Sequence, residues 1–145
     1  MCGISGIVWK INNEKSAARG EEIVTTMLNS LAHRGPDGEG THQNKYGLLG
    51  HRRLAIIDLE HGHQPMVSRD ARYVLVFNGE IYNFRSLRSE LIALGHEFKL
   101  DSDTEVLAHA AAEWGPDCLS KLNGMFAVVV DDPRRDLIWA ARDRM

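Results

Sequence analysis

Cys2 directly follows the initiating methionine. Methionine aminopeptidases remove Met1 when a small side chain follows it, and Cys2 would then carry a thiol and a free α-amine, nucleophile and base on one residue. An α-amine of ordinary pKa, ~7.7 to 8.0, is substantially unprotonated near neutral pH and can take the proton of a thiol. Read alone, Cys2 is an ordinary small residue leading into a strand. Three further positions could serve such a nucleophile. Asn78-Gly79 offers an amide side chain and an adjacent backbone N–H that can both point at one oxygen, as in an oxyanion hole, although Asn-Gly also fits a type I′ hairpin turn. Arg53, at the mouth of a β-type run, can grip a carboxylate with two parallel hydrogen bonds, whereas the Arg52-Arg53 pair also reads as a solvated face. Asp103 lies at a helix start, where the dipole favours a carboxylate and where one could also pair with a substrate ammonium group.

The elements that must position these residues are legible in outline. Residues 4–9 (ISGIVW) have the composition of a strand buried on both faces, which anchors Cys2 at a strand end. Ile23, Val24, Met27, Leu28 and Leu31 recur at three and four, giving an amphipathic helix over residues 21–31 with Met27 in the core. His33 to Gly38 is a polar Gly/Pro loop. Two β-type runs follow, 46–49 and 54–57, separated by His51-Arg52-Arg53. Residues 73–77 (YVLVF) form a buried strand that ends at Asn78-Gly79, and Phe84, Leu87, Leu91 and Leu94 predict a helix stopping at Gly95. Ser102 to Glu105 is a capping box for the next helix. Residues 126–130 and 137–141 read as a hairpin joined by a solvated charged loop over 131–136. Strands and helices in mixed order predict an α+β layered sandwich.

At 145 residues, 43% hydrophobic and 26% charged, the chain has the size and composition of one soluble globular domain. A net charge of -3 without a basic stripe argues against nucleic acid, and no apolar run is long enough for a membrane span. Two cysteines make no disulfide framework, and with no signal peptide the expected compartment is the cytoplasm. Cys118 reads as an inert thiol. His61-Gly62-His63 raises a metal site but lacks a four-ligand spacing, so no metal is expected.

Cys2 at the extreme N-terminus, HRGPD at 33–37, RLAIID at 53–58, QP at 64–65, NGEIYN at 78–83 and SDTE at 102–105 together resemble class II glutamine amidotransferase domains. HRGPD and NGEIYN look like the asparagine synthetase branch, whose N-terminal glutaminase domain the whole of 1–145 resembles. The resemblance implies an N-terminal-nucleophile hydrolase fold, an αββα sandwich of two antiparallel sheets between helical layers. It assigns nucleophile and base to Cys2, the oxyanion to Asn78 and Gly79, the glutamine α-carboxylate to Arg53, and its α-ammonium to Asp103 and Glu80. Leu54 and Ile56 would line the strand beside the ligand, with Arg34 and Asp37 as supporting loop residues.

The implied partners are glutamine, a synthetase domain in the full-length protein and, as an assembly the family allows, a homodimer. No cofactor is expected in this domain. ATP and Mg would serve only the synthetase domain, whose Ser-Gly-Gly type loop does not occur in these 145 residues. The resemblance also implies a further strand after Arg142-Asp143, so the chain is expected to be a domain truncated at its C-terminal end. Two other readings stay open at this level: an amidotransferase domain serving a sugar or β-lactam acceptor, and a non-catalytic module that binds glutamine.

Overall fold

The computed structural model describes residues 2–9, 14–55, 62–68 and 73–144, with residues 14–16 described by their backbone only. In chain order the elements are β1 (Gly3–Val8), α1 (Glu14–Ser30), β2 (Gly38–Gln43), β3 (Gly47–Arg53), β4 (Met66–Val67), β5 (Val74–Ile81), α2 (Phe84–Ala93), α3 (Asp103–Trp114), β6 (Gly124–Asp132) and β7 (Leu137–Arg142), with a 3-10 helix over Gly115–Lys121. They build two antiparallel sheets, one ordered β1-β3-β2 and the other β4-β5-β6-β7. α1 covers the outer face of the first sheet, where Val24, Leu28 and Leu48 form a small core. α2 and α3 cover the outer face of the second, burying Leu75, Phe77, Ile81, Leu87, Leu91 and Leu107 in a larger one. The inner faces of the sheets meet each other, completing the expected αββα order. No helix among the described residues is long and apolar enough to cross a membrane.

Several local expectations are corrected. Met27 is 40% exposed, because the stripe of α1 that meets the sheet runs through Gly20, Val24 and Leu28 and Met27 lies to its side. β1 is not buried on both faces, with Val8 exposed; it is an edge strand, and β3 is the central strand of its sheet. β3 runs straight through His51-Arg52-Arg53, where the sequence suggests a break. Pleating places the two arginines on opposite faces, so neither interrupts the strand. Arg52 lies on the helix side, donating from Nε to Leu28 O at 2.9 Å and pairing with Glu39 at 2.7 Å. Leu54 and Ala55 lie beyond the strand, and Ile56 and Ile57 lie outside the described residues.

β5 likewise continues past Phe77 to Ile81, held in register with β6 through Ile81↔Gly124, so Asn78-Gly79 belongs to the strand itself. The Ser102 cap forms, its Oγ accepting Glu105 N–H at 3.2 Å, but the reciprocal half of the box does not. The Glu105 carboxylate accepts from Lys99 N and Leu100 N instead, at 2.9 and 2.8 Å, two amides left without helical partners in the approach to α3. Asp131 and Asp132 are strand residues and buried, not members of a solvated loop: Asp131 accepts from His42 Nε2 at 2.8 Å across the sheets, and Asp132 takes the Arg135 N–H at 3.2 Å. Residues 133–136 are exposed as expected.

Candidate functional site

Alternation along the strands decides which side chains meet between the sheets. On β3, Leu48, Gly50 and Arg52 face α1, which leaves Leu49, His51 and Arg53 on the inner face. On β5, Leu75, Phe77 and Ile81 face the helices, which leaves Val74, Val76, Asn78 and Glu80 on the inner face. Cys2 precedes β1 opposite the end of β3, where Gly3 pairs with Arg52.

Around Cys2 the contacts are specific. Leu54 N–H points at Sγ at 3.4 Å, and Sγ lies 3.8 Å from Leu54 O. Arg34 Nε donates to Cys2 O at 3.2 Å. Asp37 N–H donates to Arg53 O at 3.0 Å while its carboxylate accepts Ala55 N–H at 2.9 Å. The 33–37 loop thus holds the backbone on both sides of Arg53, and Gly35 is required there, since a Cβ would lie 2.4 Å from Arg52 C. Arg53 itself is buried. Cys2, Arg53 and Leu54 therefore form one group.

The second group lies at the end of β5. In an antiparallel pair alternate residues turn their N–H and C=O toward opposite neighbours. Tyr82 N–H goes to Asn123 O beyond the end of the β6 pairing, so the even-numbered residues of β5 face β6 and the odd-numbered ones face the β4 side. On that side Phe77 N–H is accepted by Gln64 Oε1 at 2.6 Å, Phe77 O accepts from His51 Nε2 at 3.1 Å, and Ile81 N–H is accepted by Asp103 Oδ2 at 3.0 Å. Between them, Gly79 turns its N–H to the open edge and has no hydrogen-bond partner there among the described residues. Its φ of +155° and a Cβ position 2.2 Å from Met125 O exclude larger residues. The Asn78 side chain makes no hydrogen bond among the described residues either, so amide and N–H are both available to a ligand oxygen.

Burial pushes the Asp103 carboxyl above its ordinary value, hydrogen bonds from Ile81 and Thr104 oppose this, and the charge of Glu80 adds to it. Glu80 is exposed, so of the two acids Asp103 is the one held in place. Ile56 lies outside the described residues, as do Met1 and His61.

Sequence reasoning missed His51 and gave no role to Gln64. Their signal was slight: His51 stands two residues before Arg53 and so shares its face. Burial of the imidazole pushes its pKa down to about 4, against the Phe77 hydrogen bond and with the Arg53 charge. Cys118 is fully buried and its thiol is pushed up to about 12, chiefly by burial. A cavity of about 240 Å³ opens between α1 and β2, lined by Glu21, Thr25, Glu39 and Thr41, on the far face of the sheet from Cys2, and no cysteine lines it. Among the described residues no three His, Cys, Asp or Glu side chains group as metal ligands.

Residues 1–145 match the family described as glutamine amidotransferase domain. The chain belongs to that family. This glutamine amidotransferase domain is 44% identical over 147 residues to asparagine synthetase [glutamine-hydrolyzing] 3 of Bacillus subtilis, covering 100% of the chain and 24% of that protein. It is 41% identical over 143 residues to asparagine synthetase [glutamine-hydrolyzing] 1 of the same organism, covering 99% of the chain and 22% of that protein. The domain spans about a quarter of the length of these relatives. Among solved structures it resembles glutamine phosphoribosylpyrophosphate amidotransferase from B. subtilis, with a TM-score of 0.69 and 24% identity over 97% of the chain and 37% of that structure's chain. That likeness speaks for the fold, the N-terminal-nucleophile hydrolase sandwich expected from the sequence.

Proposed function

We propose that this domain hydrolyses glutamine to glutamate and ammonia through a γ-glutamyl thioester on Cys2. The ammonia would serve ATP-dependent amide formation from aspartate in a cytoplasmic asparagine synthetase-like enzyme. What supports the reading is that Cys2 sits at the end of β3 beside Arg53, and that β3 reaches β5 through the His51 bond to Phe77 O, the residue before Asn78 and Gly79, whose amide and outward N–H have no partner among the described residues. In this reading Met1 is removed, and the α-amine of Cys2 takes the thiol proton. Sulfur attacks the glutamine side-chain carbonyl, and the oxyanion is held by Asn78 and Gly79. The amine returns its proton to the departing ammonia, and water then cleaves the thioester to release glutamate and regenerate the thiol. These steps consume only glutamine and water and need no cofactor, whereas ATP and Mg would serve the amide-forming half.

Selectivity for free glutamine follows from pairing both of its backbone charges. Arg53 would take the α-carboxylate, with Leu54 beside it, and Asp103 the α-ammonium. A ligand lacking either group would leave a partly or wholly buried partner unpaired. The aspartate acceptor is supported by relatives that are asparagine synthetases over the whole of this domain. Cys2→Ala in tag-free protein should abolish glutamate release. Retained turnover in that variant would remove Cys2 as nucleophile.

A further inference from the structure

We infer that His51 and Gln64 are positioning residues for the oxyanion hole, acting as a side-chain clamp on the Phe77 peptide in place of a missing strand. β4 pairs with β5 only at Val74 and Leu75, so beyond it the outward N–H and C=O of Phe77 would face an open sheet edge. Two side chains from elsewhere fill that place. Gln64 Oε1 accepts the N–H at 2.6 Å, and His51 Nε2 donates to the carbonyl at 3.1 Å. The next residue is Asn78, and the next outward N–H along the strand is that of Gly79. The clamp thus fixes the last peptide before both proposed donors, and the Asp103 bond to Ile81 fixes the first outward N–H after them.

Each half of the clamp is itself braced. Gln64 O packs onto Gly40 of β2 so closely that a Cβ there would lie 2.2 Å from it. His51 stands on the inner face of β3 two residues before Arg53, so the clamp also links the proposed carboxylate grip to the oxyanion donors. The imidazole makes a poor space filler: it is fully buried and its Nδ1 has no partner among the described residues, which is destabilising by itself. What offsets this is the bond made by Nε2. Phe77 O can only accept, so Nε2 carries the proton, and burial keeps the ring neutral, with the one tautomer, through the physiological range.

The inference rests on the glutaminase reading. Displacing reacting groups by about an ångström can cost on the order of 10²-fold in rate, and losing one oxyanion donor about 10²- to 10³-fold. His51→Leu, which keeps volume and removes the donor, should therefore lower kcat for glutamine hydrolysis by about 10- to 100-fold and change KM by less than about threefold. His51→Gln, whose amide N–H can reach the same carbonyl, should recover most of that loss, and Gln64→Leu should resemble His51→Leu. Circular dichroism and glutamine-analogue labelling of Cys2 in each variant report whether the fold and the ligand pocket survive. Unchanged kcat in His51→Leu would overturn the clamp while leaving the glutaminase reading intact. So would a loss confined to KM, or an equal loss of kcat in His51→Leu and His51→Gln with both variants folded. A wild-type domain that labels at Cys2 but releases no glutamate overturns the function reading and the clamp with it.

Discussion

Asp103 Oδ2 accepts the backbone N–H of Ile81 at 3.0 Å, which fastens the start of α3 to the outward edge of β5 two residues past Gly79. One carboxylate thereby joins the helical layer to the strand that bears the proposed oxyanion donors, and it does so at the cost of partial burial. Burial raises its pKa in the folded state above the ordinary 3.8. Between 3.8 and the raised value the folded chain keeps a proton that the unfolded chain has lost. Stability therefore falls as pH rises through that window, and the deficit persists at neutral pH.

Asp103→Asn removes the titration and retains an oxygen that can accept Ile81 N–H. The ligand-free variant should melt higher than wild type at pH 7, and the gap should close below about pH 4. Its KM for glutamine should rise by about two orders of magnitude, since a half-buried charge partner for the α-ammonium is lost. Thermal melts at both pH values and steady-state kinetics check the two halves. An unchanged KM would remove Asp103 from the binding site.

His51 gives the opposite slope. Its pKa is about 4 folded, against 6.5 for an unperturbed imidazole. Between these values the unfolded chain binds the extra proton, so stability present above pH 6.5 is lost as pH falls toward 4, on the order of 3 kcal/mol for one group. His51→Gln should flatten the acid limb of a denaturation-midpoint against pH curve between 6.5 and 4. An identical limb in the variant would show that the ring does not titrate as its burial requires.

Asn78 and Gly79 separate chemistry from folding. Asn78→Ala should lower kcat by about 10²- to 10³-fold with little change in stability, because its amide holds nothing else among the described residues. Gly79→Ala combines a disfavoured φ with a Cβ 2.2 Å from Met125 O and should destabilise the domain by several kcal/mol, about 3 or more. Chemical denaturation of both variants beside their glutaminase rates distinguishes the two effects.

Much of this site was legible because its residue types are chemically restrictive. Few residues other than Cys2 beside an α-amine, or Asn78 beside a glycine, can do the work assigned to them, and the amphipathic spacing of Leu87 and Leu91 announced α2 directly. What escaped reading was set by neighbours in space. β2 (GEGTHQ) has low intrinsic strand preference and forms because β3 offers it a complete ladder, with Gly40 small enough to pass under Gln64 O. β5 crosses Asn78-Gly79 because β6 keeps pairing with it to Ile81, which overrides the turn signal. Glu105 leaves its capping role for two nearer amides, Asp131 turns to His42 between the sheets while Asp132, on the opposite face of the strand, takes Arg135, and Met27 misses the core by one helical position. The clamp of His51 and Gln64 on Phe77 depends on β4 being short, which no local pattern encodes.

The proposed base makes a further prediction. If the free α-amine accepts the thiol proton, glutaminase activity should rise with pH to a plateau through a pKa near ~7.7 to 8.0, and a retained N-terminal extension should abolish it. Normal turnover by an uncleaved, tagged chain would rule out that amine as base.

Cys2 as an N-terminal nucleophile in a glutamine pocket is best tested by the intact mass of folded, tag-free protein before and after exposure to a diazo-ketone analogue of glutamine, with peptide mapping of the adduct. Loss of Met1 and a single adduct on Cys2 that excess glutamine suppresses are expected. Protein that has lost Met1 and remains folded yet takes up no adduct, or takes it up elsewhere than Cys2, would contradict that role.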